Sequence, residues 1–143
     1  MCKFQSPIAI NKPDITFYEI SSQAVEDELK ALNISIPLGL FDSPTYYYTT
    51  LWAIREVVKY CRKVYPFPKY QTAIMDCDDF AILLKGLLSA EFGINGCGIS
   101  LGYTLGGYHS YNLARVEDKW VCIEPQTGGV FELGSYQCDR III

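Results

Sequence analysis

From residue 96 onward apolar and polar positions alternate with a period of two, whereas upstream they repeat with the period of a helix. The alternating part predicts strands over residues 98–105, 109–116, 119–124 and 129–133, with Gly106-Gly107 and Glu117-Asp118 as turns. Residues 138–143 add a further strand, because the apolar run Ile141-Ile142-Ile143 is better packed than loose. Upstream, Val25, Leu29 and Leu32 make one apolar stripe and predict a helix over 23–32 with Ser22 as its N-cap. Tyr47, Leu51, Ile54, Val58 and Cys61 predict a second helix over about 45–64, with Arg55, Glu56, Lys59 and Arg62 on its other side. Asp42-Ser43-Pro44 precedes it, and Pro66 and Pro68 end it. Phe80, Leu83, Leu84, Leu87 and Leu88 mark the buried face of a third helix, stopped at Gly93. Residues 1–19 read as irregular, and 36–40 interrupt the pattern. Helices followed by an antiparallel sheet predict an α+β class, N-terminal helices packed on a C-terminal antiparallel sheet, in one domain over 1–143.

Composition sharpens this picture. Of 143 residues, 50% are apolar and 14% aromatic, enough for a core without metal or disulfide staples. Eleven tyrosines favour amphipathic clefts or interfaces. The net charge is −4 and no Lys/Arg run occurs, which argues against nucleic acid and anionic membrane as partners. No apolar run approaches the ~18 residues of a membrane span. Residues 1–7 lack the apolar core of a signal peptide, so a cytoplasmic location is expected, with release by lysis open. The six cysteines are scattered and form no C-x-x-C, which argues against a zinc or thioredoxin site. Cys61, Cys97 and Cys122 lie in apolar segments and read as buried, reduced thiols.

One constellation could carry chemistry. Cys77, in Asp76-Cys77-Asp78-Asp79-Phe80, is followed by the single histidine, His109, and then by Glu124. Nucleophile, base and orienting carboxylate occur in that chain order. The first turn of the third helix would favour the Cys77 thiolate through the helix dipole, while the flanking acids oppose it. A two-residue turn at Glu117-Asp118 pairs Val116 with Lys119, and then makes His109 and Glu124 diagonal neighbours on one face. Gln71, six residues before Cys77, is a candidate oxyanion donor. Asp76, Asp78 and Asp79 offer hard oxygens for a metal, but the same residues also read as a helix cap with solvated acids.

The runs Asp-Cys-Asp-Asp-Phe-Ala, His-Ser-Tyr-Asn and Glu-Pro-Gln-Thr resemble the papain-like and transglutaminase-like cysteine peptidase superfamily. More narrowly, they resemble the C-terminal protease domain of fungal chimerolectins of the mushroom agglutinin type. The likeness covers residues 71–127. It implies a papain-like cysteine protease core, with Cys77 as nucleophile, His109 as base and Glu124 as orienting carboxylate. It further implies activation by calcium (Ca2+) held by Asp78 and Asp79, with Asp76 beside them, and a protein or peptide substrate. Two alternatives accompany this thiol-hydrolase reading. One is acyl transfer to an amine by the same triad. The other is a noncatalytic interaction or phage structural scaffold, for which Tyr46-Tyr47-Tyr48 and the apolar C-terminus would supply an interface. Oligomeric state is not legible at this level.

Overall fold

The computed structural model describes residues 10–37 and 43–143. Cys2, the opening residues 1–7 and the segment containing Leu38, Gly39, Leu40 and Asp42 lie outside the described residues. In chain order the elements are β1 (Tyr18–Ser21), α1 (Ser22–Ala31), β2 (Thr45–Tyr48), α2 (Leu51–Val64), α3 (Cys77–Phe92), β3 (Cys97–Thr104), β4 (Gly107–Val116), β5 (Lys119–Glu124), β6 (Gly129–Glu132) and β7 (Gln137–Ile142). The last five strands form one antiparallel sheet in the order β6-β5-β4-β3-β7, and β1 pairs with β2 in a separate ribbon.

This corrects the expected segregation of helices before a sheet, because strands interleave with the first two helices. The error lay at Thr45-Tyr46-Tyr47-Tyr48, read as the start of the second helix. These β-formers instead pair with β1, Tyr46 opposite Ile20 and Tyr47 opposite Glu19. Tyr46 is buried and Tyr47 exposed, the alternation of a strand. The α2 helix starts only after Thr50, whose Oγ1 accepts the Ala53 N–H at 3.1 Å. Likewise Ser21, not Ser22, caps α1 by accepting the Ala24 N–H.

The centre of the large sheet is β4, and both its faces are covered. Ala114 and Val116 join Ile54, Val57, Val58, Leu84 and Leu88 in the core beneath α2 and α3. Tyr111 and Leu113 join Val25, Leu29, Tyr46 and Trp120 on the α1 side. Cover on both faces explains the unbroken burial of residues 110–116, with Ser110, Asn112 and Arg115 buried among the apolar side chains. Asn112 is a buried polar residue on the α3 side, and its Nδ2 donates to the carbonyls of Ala81 and Gly98. Arg115 faces the α1 side and is held by both carboxylate oxygens of Glu28. No helix among the described residues is long and apolar enough to cross a membrane. Cys61, Cys77, Cys97, Cys122 and Cys138 are free thiols. Burial pushes Cys61 and Cys122 up to about 12, so both are inert apolar packing groups at neutral pH.

Candidate functional site

The β4–β5 hairpin has the expected two-residue turn, with Val116 opposite Lys119 and Asn112 opposite Ile123. Glu117 takes the left-handed conformation there, at φ 48°. That register carries His109 and Glu124 to the same end of the sheet, where His109 Nε2 lies 2.7 Å from Glu124 Oε2. The Tyr136 hydroxyl donates to the same oxygen at 3.2 Å, and the Gln126 backbone N–H donates to Oε1 at 3.1 Å. Both carboxylate oxygens are therefore committed. Burial alone would raise the Glu124 carboxyl, but the bond from His109, the Gln126 N–H, the imidazole charge and Tyr136 together hold it below the usual range. Rings complete the cluster. Tyr136 meets His109 edge-on at 6.1 Å and Tyr111 at 4.8 Å, and Phe131 packs on Tyr136 at 5.0 Å.

Tyr136 was not expected from the sequence. It follows Gly134 and Ser135 in a turn, with no periodicity to mark it. The only available signal was the overall abundance of tyrosine. Gln126 acts through its backbone, not its side-chain amide.

Cys77 heads α3 and is half-buried. No hydrogen bond joins its thiol to His109. Strand alternation gives the reason. Ser110, Asn112, Ala114 and Val116 face α3, whereas His109, Tyr111, Leu113 and Arg115 face the α1 side. His109 thus belongs to the aromatic cluster on one face, and Cys77 to the helix against the other.

Gln71 is exposed and takes part through its backbone. Its N–H donates to the Met75 carbonyl at 2.9 Å, and its carbonyl accepts the Met75 N–H at 2.8 Å, closing the loop before α3. No hydrogen bond from its side-chain amide is formed. Around Cys77, ligand atoms of Asp76, Cys77 and Asp78 lie within 4.8 Å of one another. A hydrogen bond with Asp78, then burial and the charges of Asp78 and Asp79, push the Asp76 carboxyl up. Asp79 stands outside that group, because its Oδ2 accepts the Asp76 N–H at 3.2 Å as the return bond of a capping box. Replacing Asp79 with alanine is expected to cost about 1 kcal/mol, read as a lower urea midpoint at unchanged slope.

No family model and no curated protein matches the chain. Solved structures do. The structure described as a PSL1a–E64 complex superposes with a TM-score of 0.65 at 23% identity, over 87% of this chain and 51% of that one. The Polyporus squamosus lectin bound to the human-type influenza-binding epitope Neu5Aca2-6Galb1-4GlcNAc gives a TM-score of 0.62 at 19% identity, over 87% and 49%. The chain thus spans about half the length of these neighbours, and the likeness establishes its fold. These neighbours overturn the reading of the chain as a papain-like cysteine peptidase of the chimerolectin protease type. The second is described as a lectin and neither description names a peptidase, so the hydrolase and thiol-protease assignment is withdrawn, and the likeness is one of fold, shared with about half of each neighbouring chain.

Proposed function

We propose that the chain is a noncatalytic interaction module. The observation that carries this reading is that the Cys77 thiol makes no hydrogen bond to the imidazole. His109 is instead tied to Glu124 among aromatic rings on the α1 side of the sheet. The Glu124 carboxylate, bonded at both oxygens and packed among rings, makes this cluster a rigid support. Beyond it, the β3–β4 hairpin projects an apolar tip. Leu105 is fully exposed there, and Tyr103 and Tyr108 meet edge-on at 5.0 Å with about half of each ring in solvent. Exposed tyrosines on a rigid hairpin are suited to recognition, since each offers a large apolar face and a hydroxyl at little cost in conformational entropy. The Polyporus squamosus lectin, described as bound to a sialylated trisaccharide, makes that trisaccharide the first ligand to test. A calcium ion belongs to the same proposal as a structural element. Asp76 Oδ1 is buried without a partner, and Asp76 and Asp78 would supply its oxygens.

The deciding experiment is alkylation of Cys77 by iodoacetamide across pH, mapped by peptide mass, in the wild type and in His109→Ala. The expected result is a rate that follows that of an ordinary thiol and does not change in the variant. A fast rate persisting below pH 7 and abolished in His109→Ala would overturn the noncatalytic reading.

A further inference from the structure

The outer face of α2 assembles positive charge that the linear sequence disperses. Arg55, Lys59 and Lys63 recur every fourth residue along the helix, and Arg62 stands beside them. With Glu56, Thr127 and Gly128 these residues line a groove of about 460 Å3 between α2 and the turn after β5. Arg62 forms the wall. Its guanidinium donates to the carbonyls of Gln126, at 2.7 Å, and Thr127, and it lies over the Phe67 ring. Glu56, the single acid of the groove, is 4.0 Å from Lys59. Arg55 and Lys63 have no ion-pair partner among the described residues, so their charge is available to a ligand. Four cations against one acid in a chain of net charge −4 make this face strongly polarised.

We propose that this groove docks an acidic polypeptide segment in extended conformation, with a carboxylate at every second residue. The spacing supports that choice. Four helical residues advance about 6 Å, and two residues of an extended strand advance about 6.6 Å. Alternate carboxylates along one edge of such a segment therefore meet Arg55, Lys59 and Lys63 in turn, while its backbone lies along the turn at Thr127-Gly128. This inference goes beyond the interaction-module reading and stands whichever way Cys77 behaves, because no residue of the groove belongs to the His109 or Cys77 sites.

The test is fluorescence anisotropy of a labelled ten-residue peptide of alternating glutamate and serine, titrated with the whole chain. The comparison peptide carries the same five glutamates in one block. Binding of the alternating peptide is expected to be tighter than that of the block, and to weaken about tenfold when NaCl rises from about 0.02 M to about 0.2 M. The triple variant Arg55→Glu, Lys59→Glu, Lys63→Glu is expected to lose at least about tenfold in affinity. The same three positions changed to glutamine are expected to lose about threefold, which keeps the test open if charge reversal impairs folding. Lys30→Glu on α1 is expected to change nothing. Equal binding of the two peptides, unchanged affinity in the glutamine variant, or tighter binding of oligothymidylate or sialylated trisaccharide at the same site would each overturn the proposal.

Discussion

Glu28→Ala is expected to lower the stability of this chain by about 3 kcal/mol, read from urea denaturation. Arg115 lies in the central strand with 9% of its side chain exposed, and Glu28 reaches it from α1. The contacts are bidentate, Nε to Oε2 and Nη2 to Oε1, both at 2.9 Å. The Trp120 indole N–H donates to Glu28 Oε2 at 2.9 Å, so one carboxylate satisfies two buried groups. Removing it leaves the guanidinium charge facing the apolar α1-side core, with the Glu117 carbonyl, which accepts from Nη1, and the Tyr48 ring 4.2 Å away as its favourable neighbours. The figure stands at the low end for a broken buried pair because Glu28 is itself 32% exposed and water can enter. Glu28→Gln, which keeps an acceptor for Trp120, is expected to lose less. Equal losses in the two variants would place the effect in packing and not in charge.

Glu124→Gln is expected to cost about 1.5–3 kcal/mol at neutral pH and to flatten the acid limb of the stability curve. The carboxyl is held below its ordinary value, 4.5, in the folded chain. The sign follows from that direction. A depressed carboxyl stabilises the fold fully above its unfolded value, about pH 4.5, and loses that contribution as pH falls through the lower folded value. Wild-type stability should therefore decline below about pH 4.5 more steeply than that of the glutamine variant. Parallel acid limbs in the two proteins would contradict the role given to Glu124. Tyr136→Phe removes one donor and leaves the ring contacts with His109 and Phe131, so it should reproduce only a fraction of the loss.

On α2 the charged side was legible from helical periodicity, but the groove it forms with Thr127 and Gly128 was not. Scanned along the sequence, Arg55, Lys59 and the pair Arg62-Lys63 are interrupted by Glu56 and by apolar and aromatic residues and form no long basic run. Helical periodicity then places Ile54, Val57, Val58 and Cys61 in the core and delivers the cations together on the outside. Tyr46-Tyr47-Tyr48 shows the opposite case. The spacing of Tyr47 from Leu51 fits a helix, but pairing with Tyr18–Ser21, a segment without a strand signal of its own, decides for a ribbon. Long-range pairing of this kind overrides local pattern, because its partner is chosen by the fold.

Within the sequence lay the strands from residue 97 onward, the buried face of α3 and the neighbourhood of His109 and Glu124. Each of these depends on a local rule: the period of two, the helical stripe, or the register imposed by the Glu117-Asp118 turn. Only the tertiary structure decided that α3, headed by Cys77, packs on the Asn112 side of β4 while His109 joins the rings of Tyr111 and Tyr136. It also decided that Tyr136 closes the His109–Glu124 cluster and that Glu28 neutralises Arg115. The physical reason is the same in each case. Chain order carries the identity and local direction of a side chain, whereas which face of a central strand a distant helix covers is set by how the apolar surfaces of the whole chain are buried together.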